Sequence, residues 1–216
     1  MLNGLLKEEN MGFNFREVEH GLCVVMDARM PMILCPGEKI DSNAVICYGY
    51  VDKTAGFTFE VLCLASYVDG DYTIVNENKE VSMKVRGETY ENTEIIPIKN
   101  AAILKRFKQR IDLIENGYYS NDEAEAAREK TCIDQFRHPF FPDDVQSILF
   151  AEGLKPETIW VRLTRYVGNQ SGIECFEGTL LNTPFEPKYN LHCNESVLVA
   201  VSNSENGKFC FIVPKR

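Results

Sequence analysis

The sequence predicts an α+β fold of mostly antiparallel β-structure, with a central helical hairpin and a C-terminal five-stranded small sheet or barrel. Short runs rich in Val, Ile, Phe, Tyr and Thr alternate with turn residues over 20–99 and again after residue 138. Between these regions the apolar residues recur at helical spacing instead. We therefore expect an N-terminal mostly-β domain over 1–98, a helical hairpin over 99–137, and a C-terminal small β domain over 138–216.

Several short runs in the N-terminal part have the composition of strands, because β-branched and aromatic side chains fit a pleated, half-buried surface. The hairpin signal is strongest in VDKTAGFTFEV, where a five-residue connection ends at Gly56 and an alternating apolar run follows. A second turn signal is DGDY at 69–72. The predicted strands are GLCVVMDA, MPMILCP, NAVICYGYV, GFTFEVLCLASYV, DYTIVNE, EVSMKV and TEIIPIK.

The first predicted helix is NAAILKRFKQRIDLIENG. Its apolar residues form one stripe along a helical face, Asn100 suits the N-cap, and Gly117 suits the position that stops the helix. The stripe consists of Ile103, Phe107, Ile111 and Ile114.

The second predicted helix is SNDEAEAAREKTCIDQF. Ser120 and Glu123 form a capping box, and the alanines that follow have high helix propensity. We expect this helix to end near Arg137, because Pro139 disfavours helical backbone in the residue before it. The two helices would form the hairpin between the β regions.

Further short strands are predicted in the C-terminal part. In TIWVRLTRYV the residues Ile159, Val161 and Leu163 alternate with other types, as in a strand with one buried face. SENG at 204–207 connects the last two runs as a hairpin. Such a series fits a small antiparallel sheet or a partly closed barrel. The runs are DDVQSILFA, TIWVRLTRYV, ECFEGTLLN, SVLVAVSN and KFCFIVP.

Composition and charge limit the classes of function. The chain has 216 residues, 44% hydrophobic and 25% charged, which is ordinary for a globular protein, and its formal net charge is −9. Residues 1–98 carry 8 basic and 16 acidic side chains. This argues against a duplex nucleic-acid binder, because neutralising phosphates requires Lys and Arg. An acidic surface suits a basic partner or serves solubility alone.

No metal, cofactor, membrane span or export signal is expected. The chain contains no apolar run long enough to cross a bilayer, and MLNGLLKEEN lacks the pattern of a secretory signal. The default location is therefore the cytoplasm. The 8 cysteines show no CxxC or CxH spacing, and most of them lie in apolar runs. We expect reduced thiols that pack in the core.

The segment RHPFFPDDVQSILF allows two interpretations. In the first, Pro139 and Pro142 stiffen a connector, and Asp143 and Asp144 bind nearby backbone N–H groups at a turn or strand entry. In the second, Asp143 and Asp144 act with His138 as metal ligands or as acid and base, since paired carboxylates hold hard cations and shift each other's pKa. Neighbouring side chains of an extended chain point to opposite faces, which favours the connector.

A second candidate site lies on the strand that contains the single tryptophan. In the first interpretation, Arg162 and Arg165 form cross-strand ion pairs with Glu174 and Glu177. The alternative is a binding patch, since Trp and Arg are favoured anchors of protein interfaces, and this patch is the candidate binding site. The predicted patch consists of Trp160, Arg162, Arg165 and Tyr166.

Two weaker candidates remain. KNAAILKRFKQR at 99–110 has five basic residues and no acidic one, which indicates either a nucleic-acid or phosphate-binding face or, as the favoured interpretation, a solvated helix face balanced by acids of the next helix. His192 beside Cys193 could form a nucleophile pair, but no strand-to-helix elbow or helix N-terminus supplies the usual context. P-loop, GxGxxG, HExxH and GxSxG motifs are absent from the sequence.

Residues about 120–202 resemble the C-terminal part of a bacterial protein family of unknown function. The resemblance rests on FRHPFFPDDVQ, GLKPETIWVRL and FEGTLLNTPF. It implies a helical hairpin that leads into the PDD segment, a WVRL strand, and a G-x-LLN-x-P strand and turn. Related small β domains occur near toxin-immunity genes, which implies a protein partner. Where this family has a Gly-Asp turn, the chain has Cys193, Asn194 and Glu195, so that turn is altered.

These observations favour a bacterial cytoplasmic binding protein over an enzyme. We expect an immunity-like, non-enzymatic protein that docks a protein partner through an acidic or a Trp/Arg surface. The alternative is a metal-dependent hydrolase built on His138, Asp143 and Asp144.

Overall fold

The computed structural model describes residues 14–77, 82–118, 121–204 and 207–213. The chain divides into two compact units, Met1–Tyr119 and Ser120–Arg216. The expected fold class is confirmed, since the protein is α+β and mainly antiparallel β. The three-part division expected from the sequence stays a prediction; the helices assigned to one hairpin lie in both units.

The N-terminal unit is built on one sheet, whose described strands follow the order β4-β3-β2-β1-β6 with antiparallel pairing. A further strand, β5, pairs with the first half of β3, while β4 pairs with its second half. The strands are β1 (Gly21–Val25), β2 (Ala44–Asp52), β3 (Gly56–Val68), β4 (Asp71–Glu77), β5 (Met83–Arg86) and β6 (Ile95–Ile98).

Both faces of this sheet are buried. One face packs against the short helices α1 (Phe15–Val18) and α2 (Met30–Leu34) and a 3₁₀ turn at Gly87–Tyr90. The other face packs against α3 (Ala101–Arg106) and α4 (Lys108–Gly117). This explains why β2 is buried along its whole length rather than at alternating positions, since both sides of the strand lie in a core.

The predicted stripe of the first helix is confirmed, because its four residues pack against the sheet. Asn100 caps α3 as expected, with its Oδ1 accepting from the backbone N–H groups of Ala102 at 3.0 Å and Ile103 at 3.2 Å. The single predicted helix is interrupted at Phe107, which lies between α3 and α4. Gly117 is the last residue of α4 rather than the residue after it.

One strand prediction was wrong, because MPMILCP contains helix α2. Pro31 lies in the first helical turn, where a backbone N–H has no intrahelical acceptor and the fixed φ of proline suits the helix. The same proline would remove a ladder hydrogen bond from a strand. The apolar composition of the run therefore reports burial and not its backbone conformation.

The C-terminal unit is a meander of antiparallel strands in which β12 returns to pair with β8 in parallel, Phe211 opposite Ile148. This pairing curls β8 to β12 into a partly closed barrel around one apolar core. The five predicted strands are present, and the two-residue β7 adds to them. The strands are β7 (Arg137–His138), β8 (Phe141–Leu149), β9 (Glu157–Gln170), β10 (Ile173–Leu180), β11 (Ser196–Ser204) and β12 (Gly207–Val213).

Helix α5 (Asp122–Arg128) is shorter than predicted and is followed by a 3₁₀ segment, Thr131–Phe136. Its N-cap is Asn121, whose Oδ1 accepts from the backbone N–H of Ala124 at 2.9 Å. The predicted capping residue Ser120 lies outside the described residues. Among the described residues, no helix has both the length and the apolar composition needed to cross a membrane.

The cysteine residues are free thiols, and most of them are buried. Desolvation by burial raises the pKa of Cys63 to about 12 and that of Cys210 to about 11. These thiols therefore stay protonated at neutral pH and pack as small apolar groups. Cys193, in contrast, is exposed.

Candidate functional site

The segment at 137–144 folds into a tight hairpin that joins β7 to β8. His138 lies opposite Phe141, and the backbone N–H of Phe140 donates to Nδ1 of His138 at 3.2 Å. The proton of a neutral His138 would therefore reside on Nε2. Strand β8 already begins at Phe141, two residues earlier than DDVQSILFA predicted, so both aspartates lie inside a strand.

The Asp143 carboxylate is held by Arg128 of α5. Nε donates to Oδ1 and Nη2 donates to Oδ2, both at 2.9 Å, in the fork geometry that a guanidinium shares with a carboxylate. Only 1% of the Arg128 side chain is exposed, and 14% of Asp143. This largely buried ion pair joins α5 to strand β8.

The Asp144 carboxylate is held in the same way by Arg162, which lies directly opposite it on β9. Nε donates to Oδ1 at 2.7 Å and Nη2 donates to Oδ2 at 2.9 Å. The hydrogen bonds that Arg162 donates to Asp144 raise the pKa of the Arg162 guanidinium. Arg162 thus remains charged and is fixed in the plane of the carboxylate.

The two aspartates and His138 do not converge on one point. Each carboxylate binds its own arginine, and the His138 ring packs edge-on against Phe141 and Trp160, with centroids 5.1 and 5.4 Å away. A cavity of about 410 Å³ in the same unit is lined by other described residues, among them Leu149, Tyr189 and Val197. Within the described ranges no three His, Cys, Asp or Glu side chains are placed to hold a metal ion.

Arg137 has a structural role that sequence reasoning missed. Its side chain is 3% exposed, and its Nη2 donates to the backbone carbonyls of Ala127, Arg128 and Lys130 at 3.0–3.3 Å, just where α5 ends. Its Nη1 donates to the carbonyl of Pro142. Arg137 therefore satisfies the last carbonyls of the helix and explains why the helix ends early. A basic residue shortly after a helix was the available signal.

The predicted patch separates onto two faces of β9. Trp160 and Arg162 point outward, and Arg165 pairs with the outward Glu177 of β10 through Nη2–Oε1 at 2.6 Å and Nε–Oε2 at 3.2 Å. Tyr166 instead packs against the barrel core, with its ring 5.3 Å from that of Phe176. The expected pairing of Arg165 is thus present, whereas Arg162 pairs with Asp144.

A β-bulge explains this separation. The pairing of β9 with β10 shifts register between Glu177 and Gly178, so that Thr164 has no residue opposite it. Gly178 allows the strands to approach, because a Cβ there would lie 2.5 Å from Cγ1 of Val161 and 2.8 Å from the carbonyl oxygen of Arg162. The extra residue keeps Arg165 on the outer face and turns Tyr166 inward.

Tyr166 is held at the end of the barrel by polar contacts. Its hydroxyl donates to Oε2 of Glu174 at 2.5 Å, and this bond raises the pKa of Tyr166 to about 12 while it lowers the pKa of Glu174. The ammonium group of Lys130 lies 4.0 Å from the centre of the Tyr166 ring. These contacts assign Tyr166 to the framework of the C-terminal unit.

The outer surface that remains is here named the Trp160 face. Trp160 is half-buried in it, Gln146 lies directly opposite, and the ion pairs Asp144–Arg162 and Arg165–Glu177 follow Trp160 further along β9. The side chains of Arg162, Arg165 and Glu177 are 35%, 46% and 47% exposed. The Trp160 face consists of Gln146, Trp160, Arg162, Arg165 and Glu177.

The basic run at 99–110 pairs with acids of its own unit rather than with the next helix. Arg110 binds Glu60 through Nη2–Oε1 at 2.6 Å, and Lys108 binds Asp112 at 2.7 Å. Arg106 pairs with Glu77. These partners neutralise most of the run, which weakens its interpretation as a phosphate-binding face.

His192 and Cys193 lie in a turn between β10 and β11. The Cys193 thiol donates to the carbonyl of Leu181 at 3.4 Å, and its backbone N–H donates to Oγ1 of Thr183 at 3.0 Å. Asn194 adopts the left-handed conformation, with φ of 70°, which asparagine tolerates better than most residues. The turn is thus built around an asparagine.

No family model, curated protein or solved structure matches this chain.

Proposed function

We propose that this chain is a non-enzymatic, immunity-like protein that docks a basic protein partner through the Trp160 face. The observation that carries the proposal is the pairing of a half-buried indole with an arginine whose guanidinium is already fixed by Asp144. Trp and Arg at the centre of an interface contribute a large share of binding free energy.

Preorganisation favours this surface. An exposed arginine normally loses side-chain entropy when it is immobilised on binding, at a cost of about 0.5–1.5 kcal/mol per side chain. The bond lengths of 2.7 and 2.9 Å to Asp144 hold Arg162 before a partner arrives. Trp160 is similarly restrained, because its ring contacts the His138 ring at 5.4 Å. Less freedom is therefore lost on docking.

The charge of the chain favours a basic partner. The formal net charge is −9, and both strong pairs on the Trp160 face are internally neutral, so they do not offset it. Long-range attraction would steer a basic protein toward the chain, and the association rate would fall as salt is added. An immunity protein that must capture its toxin quickly benefits from such steering.

The geometry favours binding over hydrolysis. In the hydrolase alternative, Asp143 and Asp144 would have to release their arginines before they could serve a metal or a water molecule. Releasing Asp143 would remove the carboxylate that neutralises Arg128, whose side chain is 1% exposed. Separating a buried ion pair is strongly unfavourable.

The test starts with capture of basic proteins from source cells, and each captured protein is then purified and titrated against three versions of the chain. These are the wild type, Trp160→Ala, and Phe209→Ala as the matched control, since Phe209 is 41% exposed on β12 and lies outside the Trp160 face. We expect Trp160→Ala to raise Kd by about 30-fold or more, as for a hot-spot residue. Phe209→Ala should change Kd by less than about 3-fold.

Capture alone would not support the proposal. A partner that binds wild type and Trp160→Ala equally well, or that is weakened equally by the two alanine variants, would show that the Trp160 face is not the docking surface. Failure of every purified basic candidate to bind in calorimetry would also reject it.

A further inference from the structure

The N-terminal unit contains a polar cluster on the sheet face that α4 covers. The cluster contains two neighbouring sets of residues that lie directly opposite one another on adjacent strands. Tyr50 of β2 lies opposite Thr58 of β3, and Thr58 lies opposite Arg86 of β5. In the next row Glu60 lies opposite Lys84. Cross-strand neighbours of this kind bring their side chains within contact distance.

Among the described residues, only one of the two Glu60 carboxylate oxygens accepts hydrogen bonds. Oε1 accepts from Nε of Arg110 at 3.0 Å, from Nη2 of Arg110 at 2.6 Å and from Oγ of Ser82 at 2.8 Å. Oε2 has no hydrogen-bond partner among the described residues, and Nζ of Lys84 lies 3.8 Å from it. The Glu60 side chain is 1% exposed, so water does not freely replace the missing donor.

Tyr50 is the second group with an unmet hydrogen bond. The residue is fully buried, and its hydroxyl has no partner among the residues that the structure describes. An unsatisfied buried hydroxyl costs about 1–3 kcal/mol, and native proteins rarely tolerate it without a reason. The cluster therefore offers one hydroxyl donor and one carboxylate acceptor, both desolvated.

The remaining groups of the cluster are mostly donors. Arg86 uses Nη1 to bind Oγ1 of Thr58 at 2.6 Å and lies 3.6 Å from Oδ2 of Asp52. A guanidinium has five N–H donors, and among the described residues Arg86 uses only one of its nitrogen atoms in a hydrogen bond. Lys84 donates to Oγ of Ser82 at 3.0 Å and lies 4.2 Å from the centre of the Tyr118 ring.

The charge balance favours an anion. Three cations, Lys84, Arg86 and Arg110, surround two carboxylates, Asp52 and Glu60. The Lys84 and Arg86 side chains are 23% and 44% exposed, so the cationic side of the cluster is open to solvent while Tyr50 and Glu60 lie beneath it. An oxyanion that enters from this side meets the Lys84 and Arg86 donors first and the Glu60 carboxylate last.

We propose that this cluster binds a small oxyanion that carries one hydroxyl group, with inorganic hydrogen phosphate as the best fit. Its oxygens accept from the Tyr50 hydroxyl, Arg86 and Lys84, and its P–OH donates to Oε2 of Glu60. Hydrogen phosphate keeps such a proton at neutral pH, sulfate does not, and a phosphate monoester loses its last proton near pH 6. The Glu60 carboxylate would therefore repel sulfate and admit phosphate.

The experiment is calorimetric titration of the whole chain at neutral pH and matched ionic strength with inorganic phosphate, sulfate and glycerol 2-phosphate. We expect phosphate to bind at least about 10-fold more tightly than either other anion, a difference of about 1.4 kcal/mol. Sulfate or the monoester binding as tightly as phosphate, or no detectable phosphate binding, would overturn the proposal.

Variants separate a specific site from general attraction. Tyr50→Phe should weaken phosphate binding by at least about 5-fold yet leave the anion-free protein equally or more stable, because it removes an unsatisfied hydroxyl. Lys84→Met should weaken phosphate binding, whereas Lys39→Met, which removes an exposed lysine elsewhere in the unit, should not. Equal effects of the two lysine variants would mean unspecific electrostatic binding and would reject the site.

Glu60→Gln tests the proton directly. The glutamine amide donates where the carboxylate accepted, so the preference for phosphate over sulfate should fall by at least about 10-fold. Should this variant fail to fold after losing its ion pair with Arg110, the Tyr50 and Lys84 variants and the phosphate–sulfate comparison still decide the question.

Discussion

At the scale of single residues, the conspicuous charges of the C-terminal unit are engaged in structure. Asp143 and Arg128 form a buried pair, whereas Arg165 and Glu177 form a half-exposed pair of the same fork geometry. Buried and exposed ion pairs respond differently to the loss of one partner, because only the buried partner is left without solvation. This contrast gives a matched comparison within one barrel.

We predict that Asp143→Ala lowers the free energy of unfolding by about 3–5 kcal/mol, since it removes the carboxylate that neutralises the buried Arg128 guanidinium. Glu177→Ala should lower it by at most about 1 kcal/mol. Urea denaturation at neutral pH measures both. Similar costs for the two variants would contradict the structural role of Asp143.

Substitution of Asp143 also distinguishes its structural role from the hydrolase alternative. If the role of Asp143 is to neutralise the buried Arg128 guanidinium, then Mg²⁺, Mn²⁺, Ca²⁺ and Zn²⁺ should leave the Tm of the wild type unchanged. A metal-dependent rise in Tm that disappears in Asp143→Asn would favour the alternative instead.

A second residue-scale prediction concerns acid stability. Asp27 is buried in the N-terminal unit, and its hydrogen bonds with Arg29, both at 2.8 Å, hold the pKa of the carboxyl below its usual range. A lowered folded-state pKa contributes stability that is present above the unfolded pKa of about 3.9 and is lost as the pH falls through the folded value.

Asp27→Asn should therefore lose stability relative to the wild type at neutral pH, and the two unfolding free energies should approach each other below about pH 4. Urea denaturation at a series of pH values gives the curves. Glu91 is an exposed carboxyl of the same unit, so Glu91→Gln is the control. The unfolding free energy of this variant should follow that of the wild type at every pH. Parallel curves for Asp27→Asn and the wild type would contradict the assignment.

At the scale of elements, the bulge in β9 decides which side chains share the Trp160 face. Gly178→Ala would place a methyl group 2.5 Å from Cγ1 of Val161 and 2.8 Å from the carbonyl oxygen of Arg162. The backbones of β9 and β10 would then have to move apart. This region contains the bulge and the Asp144–Arg162 ion pair. The shift of the strands should therefore also displace side chains of the Trp160 face.

We predict that Gly178→Ala lowers the free energy of unfolding by about 1–3 kcal/mol through overpacking. Gly117→Ala is the opposite control, because Gly117 ends α4 with open space around its Cα and should gain about 0.4–1 kcal/mol from the alanine. Chemical denaturation of both variants decides the sign. A neutral Gly178→Ala would mean that the strands do not approach closely there.

Much of the architecture at this scale is predictable from local patterns. Alternation within a strand predicted that Asp143 and Asp144 would point to opposite faces, and the side chain of Asn100 was correctly identified as a cap. The partners of these groups were not predictable. Arg110 and Glu60 are separated by 50 positions, and nothing in either local sequence indicates the other.

Local patterns also fail where two conformations bury the same side chains. The apolar side chains of MPMILCP could be buried in a strand or in a helix. Only Pro31, which suits the first turn of a helix, distinguishes the two conformations. The bulge that turns Tyr166 inward depends on contacts between β9 and β10 and leaves no periodic signal in β9. The residues of the predicted patch therefore lie on one strand but on two of its faces, and their role in binding stays a prediction.

At the scale of the whole molecule, each unit has cores made of its own residues. The apolar clusters of the N-terminal unit draw on residues 15–114, and the cluster of the C-terminal unit draws on residues 127–212. Among the described residues, each of these clusters contains residues of one unit only. This organisation is typical of chains whose parts fold separately.

We predict that residues 120–216 fold when produced alone. The isolated piece should give a cooperative thermal transition and dispersed amide resonances, because its barrel core and the Arg128–Asp143 pair are complete within it. A non-cooperative transition would show that the barrel depends on the N-terminal unit. The Tyr50–Glu60 cluster should be absent from this piece, and phosphate should not shift its transition.

The central claim, that the Trp160 face docks a basic partner, is tested most directly by one resonance. The chain contains a single tryptophan, so an amide correlation spectrum has one indole N–H signal. We predict that this signal shifts or broadens when the purified partner is added, and that added salt reverses the change. A partner that binds at the same concentrations, confirmed by calorimetry, and leaves the Trp160 indole signal unmoved would contradict the claim.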